Sequence, residues 1–277
     1  MSNLGERIST SIVFVIVLLG AIIQSEYASS ILFFVMILLC QREFYNFFKP
    51  TDIKPQKNIG ILSGLLFFTI SILGRMIDLN QNTLFLIIPI IFTLFIVELY
   101  RNRPQPIPNI AFTLLGIIYI AVPITLLHEL AYFKNLNFGS EYSYEILIGY
   151  FFVLWANDTG AYFVGRSLGK HKLFQRISPK KTWEGSIGGA FFGLLVGYLN
   201  ALMFPHIAVE LWLIIAAIVV LFGSLGDLVE SLFKRSLNIK DSGNLLPGHG
   251  GVLDRFDGIF ISAPMVYTFL RLVSIWQ

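Results

Sequence analysis

An all-α integral membrane protein is the fold class that the sequence predicts, with about nine transmembrane helices, the N-terminus cytoplasmic and the C-terminus outside. Three observations predict it. The 277 residues are 55% hydrophobic and only 13% charged, with a mean hydropathy of +0.72, far from the balance of a soluble globular chain. Apolar stretches close to the roughly 20 residues that a helix needs to cross a hydrocarbon core recur from end to end. Counted from a cytoplasmic N-terminus, 17 of the 20 Lys and Arg residues fall on one side, as the positive-inside rule requires.

The stretches cover residues 9–25, 28–41, 59–77, 82–99, 109–128, 143–165, 185–204, 207–232 and 258–276. No soluble domain fits between them, so residues 1–277 are expected to form one polytopic domain. The first span follows a short segment ending at Arg7 and has no A-x-A-like site before Tyr27, unlike a cleaved signal. The second is short, so it pairs with the first as a tight hairpin or tilts little. It holds Cys40, the only cysteine, which excludes an intrachain disulfide and reads as an inert buried thiol. Pro50 and Pro55 punctuate the next loop, and R-N-R-P-Q-P-I-P, with Pro104, Pro106 and Pro108, reads as a short extended connector. Glu98 and His128, near the ends of the fourth and fifth spans, read as polar groups that snorkel or cap at an interface. With few intramembrane charges and no repeat, residues 1–142 read as scaffold, lipid contact or an oligomer surface. A homodimer is the expected assembly.

Residues 143–277 are richer, and read as the catalytic half. Asn157 and Asp158 fall inside the sixth span, Asp158 about 12 Å below the basic exit at Arg166. A carboxylate at that depth marks a functional site or a buried pairing. Ala161 and Gly165 follow Asn157 at helical spacing, giving a narrow face for a ligand or for another helix. Next comes S-P-K-K-T-W-E-G, where Ser178, Lys180, Lys181 and Thr182 precede a helix start. That is a phosphate site, or an ordinary capping turn with basic residues. G-R-S-L-G-K is not a Walker loop, because the glycine spacing is wrong and no Ser or Thr follows the lysine.

The eighth span ends with Asp227, Glu230, Ser231 and Lys234 on one helical stripe. Asp254 and Asp257 recur three residues apart at the entry to the ninth. If that span begins near Asp254, both share a face and converge with Asp227. Such oxygen donors suit Mg²⁺ rather than zinc; the alternative is structural pairing with Arg235, Lys240 and Arg255. His249, among Gly248, Gly250 and Gly251, has the freedom to reach a phosphate. The net charge of +3 gives no case for a nucleic-acid partner, whereas a basic cytoplasmic face suits lipid headgroups and nucleotide phosphates.

The run from Ser231 to Asp257 resembles the signature of the phosphatidate cytidylyltransferases, also called CDP-diacylglycerol synthases, of bacterial type. Its elements S-x-apolar-K-R, K-D, H-G-G and D-R-apolar-D are all present, through Ser231, Lys234, Arg235, Lys240, Asp241, His249, Gly250, Gly251, Asp254, Arg255 and Asp257. N-D-T-G-A-Y-F-V-G-R and S-P-K-K-T-W-E-G also resemble family motifs, so the likeness covers the C-terminal half. It implies a nucleotidyltransferase that joins CTP to membrane phosphatidate at the cytoplasmic face of the inner membrane, giving CDP-diacylglycerol and pyrophosphate. It implies Mg²⁺ on Asp227, Asp254 and Asp257, with room for a second, monovalent cation. Lys234, Arg235, Lys240 and Arg255 would hold the triphosphate or the lipid phosphate, with Asp241 and His249 in the same catalytic loop. Asn157, Asp158, Ser178, Lys180, Lys181, Thr182 and Ser231 would surround the substrates. The nearest rivals are other CTP-using lipid enzymes, including a polyprenol kinase. A transporter built on Asp158 and Asp227 would show matching broken helices in both halves, and here the polar groups sit in one half.

Overall fold

The computed structural model describes residues 3–76, 85–134, 137–138, 141–243 and 250–276. The chain divides into two compact units, one of Met1–His128 with Leu237–Phe256, the other of Glu129–Ser236 with Asp257–Gln277.

In the first unit, α1 covers Asn3–Gln24, α2 Glu26–Asn46, α3 Lys57–Met76 and α4 Ile87–Arg101. Helix α5 (Pro106–Gly116) passes through a π turn, Ile117–Ala121, into α6 (Val122–Glu129). Ser25 caps α2, its Oγ accepting from Ala28 N at 3.1 Å, which supplies one of the bonds the first helical turn lacks. Helix α2 then serves as the post of the unit. Gln41 Nε2 donates to the carbonyls of Gly60 (3.3 Å) and Gly116 (3.1 Å), and the Tyr45 hydroxyl donates to Thr113 O at 2.8 Å. A π turn disturbs the regular ladder, and side chains from α2 meet carbonyls at its approach.

The second unit opens with an antiparallel ribbon, β1 (Phe133–Lys134) with β2 (Asn137–Phe138). Helix α7 spans Glu145–Leu168. A second ribbon follows, β3 (Lys172–Phe174) with β4 (Ser178–Thr182). Helices α8 (Trp183–Met203), α9 (Val209–Ser236) and α10 (Ile259–Trp276) complete the unit.

The all-α membrane class is therefore what the chain adopts. Among the described residues five helices are long and apolar enough to cross a membrane by length and composition, with two shorter apolar ones beside them. Large apolar side chains such as Ile16, Phe92, Ile187 and Phe191 stand exposed, as lipid-facing residues do.

Several local expectations are corrected. Helix α2 has 21 residues and is not short, because polar Gln41, Arg42 and Glu43 continue the helix. The proline-rich connector is not extended. Pro106 and Pro108 lie in the first turn of α5, where a missing N–H costs nothing, and Asn102 and Gln105 take left-handed φ of 45° and 56°. Glu98 does not snorkel. Its buried carboxylate accepts from Gln56 Nε2, Asn109 Nδ2 and Arg101 Nη1, each at 2.7 Å, and these bonds replace lost water. His128 is also buried, between the rings of Phe33 and Phe68. Finally, α10 begins at Ile259, while Asp254 sits in a separate 3₁₀ turn over Leu253–Arg255. Asp254 and Asp257 thus share no helical face. The Asp257 Oδ1 accepts from Gly258 N at 2.7 Å, the local bond by which aspartate favours turns over helix interior.

Candidate active site

In the second unit, glycine spacing brings α7 against α8. A Cβ added to Gly189 would stand 2.7 Å from the Asn157 carbonyl, and one on Gly185 2.8 Å from that of Ala161. The narrow face of α7 therefore takes a helix, not a ligand. The approach sets Asn157 against Gly189, about two turns into α8, and Ala161 beside its first turn, where Thr182 Oγ1 accepts from Gly185 N at 3.2 Å. The β3–β4 ribbon leads into this cap. Glu184 holds the ribbon's start, its carboxylate accepting from the backbone N–H groups of Lys170 (3.1 Å) and His171 (3.2 Å) and facing His171 Nδ1 at 2.6 Å.

The ribbon delivers Lys181 to α9, where its Nζ meets Asp227 Oδ2 at 2.6 Å. Ser231 Oγ donates to the other oxygen of Asp227 at 3.3 Å, and Lys234 pairs with Glu230 at 3.2 Å. The predicted stripe on α9 is real, but it resolves into two i,i+4 pairs. Lys234, expected on a phosphate, is buried with its ammonium on Glu230. At Gly226 an added Cβ would stand 2.7 Å from Asp257 O, so the missing side chain lets α9 come up against the segment that opens α10. Loss of water around Asp257, then the charges of Asp227, Glu230 and Asp158, push its carboxyl well above the usual carboxylate range, with Lys181 opposing.

Asp158, Asp227 and Asp257 thus form one electrostatic group with Lys181 as its cation. Asp158 remains exposed and Asp257 half-buried, so the group is open to a ligand. Asn157 Nδ2 donates to Asp158 Oδ1 (3.3 Å) and Ser224 Oγ (3.4 Å), while its buried Oδ1 accepts from no group among the described residues. Ser178 is half-buried and Lys180 exposed on β4. The hollow of about 730 Å³ beside the ribbon, lined by Lys170, His171, Lys172, Trp183 and Glu184 among others, contains none of the three carboxylates.

The rest of the predicted loop lies in the first unit. Asp254 Oδ2 accepts from Ser242 N (2.9 Å), Ser242 Oγ (2.8 Å) and Gly251 N (3.1 Å). Gly250 has φ of +83°, and an added Cβ would meet Asp254 Oδ2 at 3.0 Å, so glycine alone fits there without strain. Lys240, Asp241 and Arg255 are exposed in this unit, as Arg235 is at the end of α9. His249 lies outside the described residues. Glu43 of α2 is a residue that sequence reasoning missed. Buried at 4% exposure, it accepts from Leu253 N at 2.8 Å and Ser242 Oγ at 3.1 Å. Its signal was an acid inside a continuing helix.

Oxygen-only donors such as Asp158, Asp227 and Asp257 match a hard cation in chemistry. Among the described residues no three His, Cys, Asp or Glu side chains are grouped so as to hold a metal ion, and Lys181 stands on Asp227 where a cation would. Among the described residues the group sets three carboxylates against one ammonium, that of Lys181.

Comparison with known proteins adds to this geometry. The model of the family described as "Cytidylyltransferase family" matches residues 5–273. A phosphatidate cytidylyltransferase of Staphylococcus saprophyticus is 46% identical over 158 residues, 56% of this chain and 57% of that protein. One of Bacillus subtilis is 42% identical over 171 residues, 60% of each. One of Staphylococcus epidermidis is 33% identical over 265 residues, 94% of this chain and 96% of that protein. The chain thus spans somewhat under two thirds of the first two relatives and nearly all of the third.

Proposed function

The chain belongs to the cytidylyltransferase family, and from that premise we propose that it transfers CMP from CTP to phosphatidate. The products are CDP-diacylglycerol and pyrophosphate, and the site faces the cytoplasm from the inner membrane. The observation that carries the reading is Lys181 on Asp227 of α9, grouped with Asp158 within α7 and Asp257 just before α10. The relatives named above, called phosphatidate cytidylyltransferases, support the choice of acceptor.

An oxygen of the phosphatidate phosphate attacks the α-phosphorus of CTP, the bond from that phosphorus to the bridging β-oxygen breaks, and pyrophosphate leaves with the electron pair. Phosphatidate is already ionised, so no side chain need remove a proton. The protein must instead bring two polyanions together and offset charge on the leaving group. Lys180 and Lys181, both in β4, are proposed to offer ammonium groups to the phosphates, Lys181 from its place on Asp227. Ser178, Thr182, Asn157 and Ser231 supply neutral polar contacts around the substrates. Lys240, Arg235 and Arg255 are proposed to meet the remaining phosphates, with Asp241 and His249 in the same loop. Asp227, Asp257 and Asp254 are proposed to hold Mg²⁺, with a second, monovalent ion. Bound there, Mg²⁺ would neutralise phosphate charge in the reactant and the departing pyrophosphate. The protein is proposed to act as a homodimer, which crosslinking in native membranes tests.

The experiment is direct. Purified full-length protein given CTP, phosphatidate and Mg²⁺ should release pyrophosphate and form a product with the mass of CDP-diacylglycerol. Chelation should stop turnover, and Mg²⁺ should restore it. A phosphorylated lipid plus CDP would assign a kinase instead. No product from folded protein, across a panel of acceptor lipids, would overturn the reading.

A further inference from the structure

The C-terminal end of α2, the start of α3 and the C-terminal end of α4 surround a cavity of about 280 Å³ in the first unit. Five cations line it, Lys49, Lys54, Lys57, Arg101 and Arg103, beside Tyr45, Phe48 and Pro55. One carboxylate answers one of them, with Glu98 Oε2 on Arg101 Nη1 at 2.7 Å. Among the described residues the other four pair with no carboxylate. Lys54 Nζ donates to the carbonyls of Lys49 (3.1 Å) and Thr51 (2.6 Å), and Lys57 Nζ donates to Asn46 Oδ1 at 2.8 Å. These bonds hold two ammonium groups in place while leaving each at least one proton to give.

Four unanswered cations around one small space repel one another. A phosphate relieves this best, because its several charged oxygens accept from several donors at once. The cavity, of about 280 Å³, has room for a phosphate and the carbons next to it. Its position also fits, since termini of α2, α3 and α4 meet here, and the termini of helices long enough to span lie near a bilayer surface. The apolar wall suits the carbons next to a lipid phosphate. None of the residues proposed for CMP transfer lines the cavity, so the proposed reaction leaves it unexplained.

We propose that this cavity is a phosphate-binding site at the membrane surface, taking the phosphate of an anionic phospholipid headgroup or free inorganic phosphate. The site does not depend on CMP transfer. The test uses full-length protein in detergent, without CTP, titrated with phosphatidylglycerol and followed by native mass spectrometry, with inorganic phosphate as competitor. Lys49 and Arg103 are exposed and anchor nothing else described, so the double variant Lys49→Gln/Arg103→Gln should stay folded. Its affinity for phosphatidylglycerol, or for inorganic phosphate if that competes, should fall about 10-fold or more. The charge-keeping pair Lys49→Arg/Arg103→Lys should retain binding. Competition by millimolar phosphate assigns the site to the free anion, and its failure assigns the lipid. Wild-type affinity for both probes in the glutamine variant overturns the proposal. So does an equal loss in Lys172→Gln/Arg176→Gln on the β3–β4 ribbon.

Discussion

Two side chains show how much single contacts decide. Glu43 holds the loop that carries Asp254, through Leu253 N and Ser242 Oγ, residues about 200 positions away in sequence. No local pattern reveals such a partner, whereas Asp254 itself was legible from the D-R-F-D run. Glu43→Ala leaves the buried Leu253 N–H without its charged acceptor, at a cost of about 1–3 kcal/mol. Glu43→Gln keeps a carbonyl oxygen for that N–H and should cost less. Thermal unfolding in detergent should rank wild type above Gln above Ala, and turnover should follow the same order. Equal behaviour of the two variants would show that the contact does not position the loop. Lys181 makes the opposite case, because both the K-K pair and the acids were visible while their meeting was not. It is the cation described against Asp227, so Lys181→Met should cut turnover about 100-fold, by analogy with loss of one charge-stabilising donor. Lys181→Arg should restore part of it, and unchanged turnover in the Met variant would remove Lys181 from the site.

At the scale of elements, the apolar spans were legible because helix length and hydropathy are set by the bilayer itself. What was not legible came from tertiary context. Pro106 and Pro108 read as connector residues because their place in a helix depends on where the helix starts. Ser178–Thr182 becomes a strand only because Lys172–Phe174 lies alongside. Ala161 and Gly165 on α7 fitted either a ligand or a helix, and the choice fell to α8, whose glycines fill the space. That packing positions Asn157 and Asp158, so it can be tested as a device of the site. An added side chain at Gly189 must push against the Asn157 backbone, 2.7 Å from its Cβ. Overpacking of this kind costs about 1–3 kcal/mol. Gly189→Val should therefore lower both thermal stability and turnover. Gly20→Ala on α1, where a Cβ meets nothing within 4 Å, should leave turnover unchanged and serve as control. Equal loss in both would mean that the α7–α8 contact is not special.

For the whole molecule, the topology turns on the four helices outside the five long apolar ones, α1, α4, α7 and α10. Of these, α4 and α7 are not among the shorter apolar ones either. Helix α4 has only 15 described residues, and α7 carries Asn157 and Asp158 within it; neither is among the five that qualify by length and composition alone. Nine spans with a cytoplasmic N-terminus require both to cross, and only then do 17 of 20 basic residues share one side. The single cysteine, Cys40, is fully buried, so single thiols can be introduced against a quiet background. Arg103, Glu141, Ser167 and Pro205 are all exposed. With nine crossings, cysteines at 103 and 167 should react with an impermeant maleimide only in inside-out vesicles, and those at 141 and 205 only in right-side-out ones. If α4 does not cross, all four swap sides. If α7 does not cross, 103 and 141 keep their sides while 167 and 205 exchange. Either pattern would also move Lys180 and Lys181 away from the cytoplasmic side, where CTP is found, and so would count against the proposed reaction as well as the topology.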